Sequence, residues 1–174
     1  ILGIGDYLGG AKLSQKALEC KKNNLAGKLP RPMLDQSNYD FSFSGLKTAV
    51  KRLVEGKNLS EAGSKAGKES EHYSVEEIAK EFETAVVDVL VGKTIRASQD
   101  FGVKSILLGG GVSANIALRA CLEIEAKRVE KKLFLPELRL CGDNAASVAS
   151  AAFFNRKFAD FKDLKPDPSM SIMD

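Results

Sequence analysis

Three short segments place chemically useful side chains where the chain turns from an extended pattern into a helical one. In Leu107-Leu-Gly-Gly-Gly-Val-Ser-Ala-Asn115 an apolar run ends in three glycines, and a helical pattern begins at Ser113. Glycine removes the Cβ that would hold a ligand off the backbone. The unpaired amides and partial positive charge of a helix start suit a phosphate. Gly110 and Gly111 would then supply close backbone, and Asn115 could hydrogen-bond a ribose or phosphate oxygen. The same residues equally make a tight turn capped by Ser113, and their spacing matches neither the dinucleotide fingerprint nor the P-loop. In Leu140-Cys-Gly-Asp-Asn-Ala-Ala146, Asp143 stands before a helix of small residues. It reads either as that helix's N-cap or as a carboxylate ligand for a metal or its water. Asp40-Phe-Ser-Phe-Ser-Gly-Leu-Lys47 is a strand end and cap, or a place where Ser42, Ser44 and Lys47 face a polyanion.

Other catalytic sets are missing. The single histidine, His72, sits in a polar stretch and reads as solvated. There is no His-Glu-x-x-His helix, and no Ser/His/Asp or Cys/His set assembles. Partners for Asp143 as a metal ligand would lie outside this chain. Cys20, Cys121 and Cys141 are odd in number and widely spaced, which speaks against a disulfide framework or a zinc ribbon and for small buried thiols.

The elements that would hold these segments follow from periodicity. A turn at residues 7–10 precedes a helix over 12–22, and the prolines in 28–34 predict an extended segment. Alternation over 40–44 predicts a half-buried strand. It leads into a helix whose Leu46, Ala49, Val50, Leu53 and Val54 share one face, ending at Gly56. Residues 57–72 are rich in Gly, Ser and Lys without periodicity and read as a mobile linker. Ser74-Val-Glu-Glu77 has the capping-box form and opens the strongest helix, with an apolar stripe from Val75 through Ile78, Ala79, Phe82, Ala85, Val86 and Val89 to Leu90. That helix runs to about Ser98 and closes at Gly102. Strands at 104–108 and 132–135 alternate with helices over 113–127 and 143–158, the pattern of an α/β sheet with right-handed crossovers. The organisation expected is a basic first part (1–56), the linker (57–72), a helix and strand–helix core (73–160) and a loose tail (161–174).

Composition bounds the class. Over 174 residues, 44% hydrophobic and 28% charged is the balance of a folded domain and not of a disordered one. No apolar run approaches the ~18 residues of a membrane span. The chain opens on Ile1 with no basic leader region, so a cytoplasmic protein, read from partway into a longer sequence, is expected. Net charge is +3, but residues 1–68 hold twelve Lys or Arg against six Asp or Glu. Such a basic half suits RNA, and solvated helix faces explain it equally well.

Asp6-Tyr-Leu-Gly-Gly10, Asp40-Phe-Ser-Phe-Ser-Gly-Leu-Lys-Thr48, Gly110-Gly-Val-Ser-Ala-Asn115 and Cys141-Gly-Asp-Asn-Ala-Ala146, in that order and spacing, resemble the universal tRNA threonylcarbamoyltransferases, once called glycoproteases. The resemblance covers essentially the whole chain but only the C-terminal half of a family member. It implies an actin-like ATPase (sugar-kinase-like) fold, with this chain as a C-terminal lobe whose mixed sheet is flanked by helices. It also implies transfer of a threonylcarbamoyl group from its adenylate to the exocyclic amine of the adenosine beside the tRNA anticodon. Gly9, Gly110, Gly111 and Asn115 match positions around the nucleotide-like ligand. Asp143 matches a ligand of one divalent metal, iron or zinc, whose two histidines belong to the absent N-terminal half. The partners implied are tRNA, threonylcarbamoyl-adenylate, that N-terminal half, a scaffold paralogue and a small ATPase, with no membrane. This chain departs from the pattern at Leu8 and Ala11 (usually Pro), Gly142 (usually Thr) and Ser147 (often Met). The alternatives are another actin-like ATPase or kinase domain, which the 40–48 segment opposes, and a non-catalytic scaffold, which would be expected to lack both the Asn115 loop and Asp143.

Overall fold

A computed structural model describes residues 2–4, 9–55, 73–156, 160, 162 and 165. The linker at 57–72 with His72, the helix end at Gly56, the turn residues Tyr7 and Leu8, and the tail apart from 162 and 165 lie outside the described residues. Five helices and two strands follow in order: α1 (Gly9–Glu19), α2 (Ser44–Val54), α3 (Val75–Asp100), β1 (Ser105–Leu107), α4 (Ile116–Arg128), β2 (Lys132–Phe134) and α5 (Ala145–Phe154).

The column of the molecule is α3, whose 26 residues span about 39 Å. Its start is the capping box read from the sequence. Ser74 Oγ accepts from the Glu77 amide at 3.2 Å, and Glu77 Oε2 accepts from the Ser74 amide at 2.9 Å. Gly102, at φ +60°, closes it in the left-handed conformation. Two apolar cores lie along the column. Near its start, Ile78 and Ala85 meet Leu46, Ala49 and Val50 of α2, with Leu25 and Leu29 from the preceding turns. Further on, Val87, Val91 and Ile95 meet Ile106 of β1 and Leu118, Leu122 and Ala126 of α4.

β1 and β2 are parallel, Ile106 opposite Leu133, with α4 as the crossover. This is the α/β unit that the alternation predicts. The sheet among the described residues is this parallel pair, where a mixed sheet was expected.

Three elements differ from the sequence reading. The strand expected at 40–44 is absent, because side chains of α3 take up the carbonyls a neighbouring strand would use. Lys93 Nζ donates to Asn38 O at 3.1 Å and to Asp40 O at 2.6 Å, and Arg96 Nη2 donates to Asn38 O at 2.8 Å. The segment at 28–34 is a series of turns and not extended. Arg31 folds it onto α3 through Glu81 and Asp88, with Met33 at φ +59°. Helix α1 starts at Gly9, so Gly9 and Gly10 form its first turn. It stops at Glu19, and the chain then leaves the axis to bring Asn24 onto Glu77.

α5 buries none of its ten residues, though eight of them are Ala, Val or Phe. Val148 (70% exposed), Phe153 and Phe154 (83%) stand open, as do Leu107 and Phe134 at the ends of the two strands. Exposed apolar area on this scale marks an interaction surface. In sedimentation at micromolar concentration the isolated chain should therefore run heavier than its 18.8 kDa monomer. Replacing Phe153 and Phe154 with Ser should return it toward monomer, and a wild-type monomer would sink this expectation.

The cap of α3 also has a pH signature. Amides of Ser74 and then Asn24, bonding the Glu77 carboxylate, outweigh its burial and hold its pKa below the ordinary value. A lowered pKa gives stability that is complete above about 4.3, the ordinary Glu value, and fades as pH falls through the folded value. Between about pH 5 and pH 3, the melting temperature of wild type should fall more steeply than that of Glu77→Gln. Parallel curves would refute the assignment.

Candidate functional site

The glycine turn at 109–111 and the segment with Asp143 both follow the carboxyl ends of the parallel strands, the edge where open α/β sheets bind ligands. After β1 the chain passes Gly109 and Gly110 into a single 3₁₀ turn, Gly111–Ala114. Gly110 has φ 78° and ψ 176°, backbone that essentially only glycine adopts. Gly109 and Gly111 have no such requirement, and a Cβ on either would meet nothing within 4 Å. Neither conformation nor packing among the described residues explains those two glycines. Open backbone facing outward is what close approach of a ligand needs.

The helix after this turn starts at Ile116 and not at Ser113. Ser113 is fully buried, and its hydroxyl turns back to Gly110 O at 2.6 Å, so it locks the turn and does not cap the helix. Asn115 is the cap, its Oδ1 accepting from the Leu118 amide at 2.8 Å. Its Nδ2 donates to Glu83 Oε1 at 2.8 Å and to Ser14 Oγ at 2.9 Å. One side chain thus fastens α4 to α3 and α1. Through Ser14, α1 comes to the glycine turn, with Gly9 five residues nearer the helix start, about 7.5 Å along the axis. Gly9 is exposed and a Cβ there would also find open space.

Beyond β2, a 3₁₀ turn at Leu138–Leu140 leads to buried Cys141 and exposed Gly142 and Asp143. Asp143 does not cap α5. Asn144 does, its Oδ1 accepting from the Ser147 amide at 2.9 Å and from Ser147 Oγ at 3.1 Å. The Ser at 147 therefore has a partner in the cap. Asp143 makes no hydrogen bond or ion pair to the described residues and keeps its carboxylate for solvent or a ligand. No group of three or more His, Cys, Asp or Glu able to hold a metal occurs among the described residues.

Arg119, which periodicity gives no reason to single out, joins the two loops. From α4 its Nε donates to Ser113 O at 2.5 Å, and its Nη2 donates to Pro136 O at 2.5 Å and to Cys141 Sγ at 3.3 Å. The structure thus brings Gly110, Gly111, Asn115 and the Asp143 loop to one edge of the molecule, with α1 tied on through Ser14. The segment at 40–48 stands apart. Its Ser44 and Lys47 are exposed at the start of α2, and Phe43 packs into the first core. Of the three thiols, all free, only Cys141 is buried, and Cys121 is exposed on α4. The signal for Glu83, Ser14 and Arg119 was weak: single polar residues inside helical patterns.

The profile of the tRNA N6-adenosine threonylcarbamoyltransferase family matches residues 2–150. Curated proteins of that name are similar along the chain. The one from Thermotoga neapolitana is 38% identical over 174 residues, covering 99% of this chain and 48% of that protein. The Lactobacillus delbrueckii subsp. bulgaricus protein is 40% identical over 176 residues, with 99% and 47% covered. The one from Enterococcus faecalis is 42% identical over 149 residues, with 83% and 40% covered. The chain spans about half the length of the curated relatives it matches.

The Asn115 junction is testable apart from any ligand. Asn115→Asp keeps the cap but sets a second carboxylate against buried Glu83, and should lower unfolding stability by about 1–3 kcal/mol in denaturant titrations. Adding Glu83→Gln, whose amide can donate across the gap, should recover most of that loss. Simple additivity of the two changes would mean that the contact carries no energy.

Proposed function

Because the chain belongs to the tRNA N6-adenosine threonylcarbamoyltransferase family, we propose that it supplies one wall of that reaction's site. The observation that carries the reading is the meeting of two loops at the carboxyl ends of β1 and β2. One is an open glycine backbone leading to Asn115. The other is a carboxylate, Asp143, that no described residue engages.

The reaction joins the exocyclic amine of an adenosine beside the tRNA anticodon to the carbamoyl carbon of threonylcarbamoyl-adenylate. A C–N bond forms, the bond from that carbon to the phosphate oxygen breaks, AMP leaves, and the amine loses a proton. The anhydride is already activated, so what is needed is positioning and stabilisation of charge on the carbonyl oxygen. Gly110 and Gly111 let the adenylate lie against backbone amides, and Gly9, at the start of α1, forms another open side of that seat. Asn115 sets the edge of the seat, since its three hydrogen bonds fix where the turn ends and α4 begins.

Asp143 suits one position on a divalent metal such as iron or zinc, being a solvent-facing carboxylate without an internal partner. The remaining ligands would come from the half of the family's length that this chain does not span. A bound metal would polarise the carbonyl. Within this reading the lobe is of the actin-like kind, and the open faces of α5, Leu107 and Phe134 pack against that other half. The basic residues of the first third face tRNA, which makes binding salt-dependent.

The test uses the full-length protein with labelled threonine, bicarbonate, ATP, the adenylate-forming enzyme, the scaffold and small-ATPase subunits, and unmodified tRNA. Wild type should label tRNA, and Asp143→Ala should lose that label by a hundredfold or more, roughly the loss that follows misplaced chemistry. Full labelling by Asp143→Ala would remove Asp143 from the site. No labelling by wild type, beside a working relative, would remove the reaction.

A further inference from the structure

We infer that Arg119 is a positioning residue: its guanidinium sets the spacing between the glycine turn and the Asp143 loop, so that the two halves of the seat move as one. The inference rests on the reading above for its link to catalysis, and on geometry alone for the link between the loops.

Neither loop is held by the sheet. The strands end at Leu107 and Phe134, and the last ladder bond is from the Leu108 amide to Phe134 O at 3.1 Å. From there the chain runs through Gly109, Gly110 and Gly111 on one side and through Gly142 on the other, residues with much backbone freedom. Each loop has braces of its own, and Asn115 ties the end of the glycine turn to α3 and α1. Ser113 returns to Gly110 O through both its hydroxyl and its amide, and Asn144 Nδ2 returns to Gly142 O at 2.9 Å. Nothing in those bonds relates one loop to the other.

Arg119 does. Its Nε reaches Ser113 O, one hydrogen bond from Gly110, while its Nη2 reaches Pro136 O and Cys141 Sγ, two residues from Asp143. The guanidinium is planar and its donors lie at fixed angles, so bonds made by Nε and Nη2 hold a fixed distance between their acceptors. A lysine ammonium carries the same charge on a flexible stem and cannot define that distance. The acceptors are two neutral carbonyls and a thiol, and among the described residues no ion pair explains the arginine. Arg119 is only half-buried and touches the ligand positions through other residues, which makes it a positioning and not a catalytic group.

The test compares wild type, Arg119→Lys and Val91→Ala in the full-length protein. Val91 is buried in the core shared by α3, β1 and α4, makes none of the bonds that join the loops, and reports what plain destabilisation does. Arg119→Lys should raise hydrogen exchange several-fold at both 109–115 and 141–144, and weaken AMP binding in calorimetry. It should lower kcat of transfer by about a hundredfold, the scale of a 1 Å misplacement, with KM for tRNA unchanged. Val91→Ala should lower the melting temperature while leaving loop exchange and kcat near wild type. Exchange that rises at one loop only or at neither, or a kcat loss that Val91→Ala reproduces, overturns the inference. If wild type transfers nothing while Arg119→Lys still loosens both loops together, the linkage stands and the transferase reading falls.

Discussion

Buried charge on α3 is the constraint around which the rest of the chain is arranged. Glu77, Glu81, Glu83 and Lys93 are all nearly inaccessible on one helix, and a charge taken out of water must find partners or be neutralised. Each finds them on a different stretch of chain. Glu77 takes the backbone and side-chain amides of Asn24, and Glu81 takes the Gly27 amide and the Arg31 guanidinium. Glu83 takes Asn115, and Lys93 takes the carbonyls of Asn38 and Asp40. Segments with little regular structure, 20–43 above all, are thereby pinned to the helix by hydrogen bonds. Apolar burial gives the two cores, and the charges decide which loop lies where.

That division of labour extends to the edge that carries the glycine turn. Glu83 fixes Asn115, Asn115 fixes the start of α4, and α4 carries Arg119 one turn further on. The glycine turn is therefore referenced to α3 through a chain of named bonds, although of its residues only Ser113 is buried. The exposed glycines are thus held by bonds made through Ser113, Asn115 and Arg119 and not by side chains of their own.

What the sequence made legible follows the same line. Apolar periodicity located α2, α3 and the two strands, because burial in the two cores depends on spacing that repeats. The capping box at Ser74 and Glu77 was readable because both partners lie within one turn. The strand expected at 40–44 was not there, since its alternation of Phe and Ser served packing by Phe43 while its backbone was claimed by Lys93, a residue over fifty positions away. Asn115 and Asp143 stand out in the sequence, but the capping roles fall to other residues than those expected: Asn115, not Ser113, caps α4, and Asn144, not Asp143, caps α5. Which of two nearby polar residues caps a helix depends on where the preceding turn delivers the chain, and at both places that turn is 3₁₀ or irregular. Arg119 was illegible for a related reason, as its three acceptors come from residues 113, 136 and 141 and share no period.

The displacement of the cap from Asp143 to Asn144 bears on how the site is completed. An aspartate at the N-cap would spend its carboxylate on helix amides and have little left for a metal. With Asn144 as cap, the helix start is satisfied and the neighbouring carboxylate remains free in solvent. The same asparagine binds the Asp143 loop to α5, because its side chain holds Leu140 O and Gly142 O as well as the Ser147 amide. α5 is the element whose apolar surface is most exposed. Any partner surface that covers α5 consequently steadies the loop bearing Asp143, and any set of ligands that gathers at Asp143 steadies α5. Through Asn144 the order of the Asp143 loop and the order of α5 are therefore coupled.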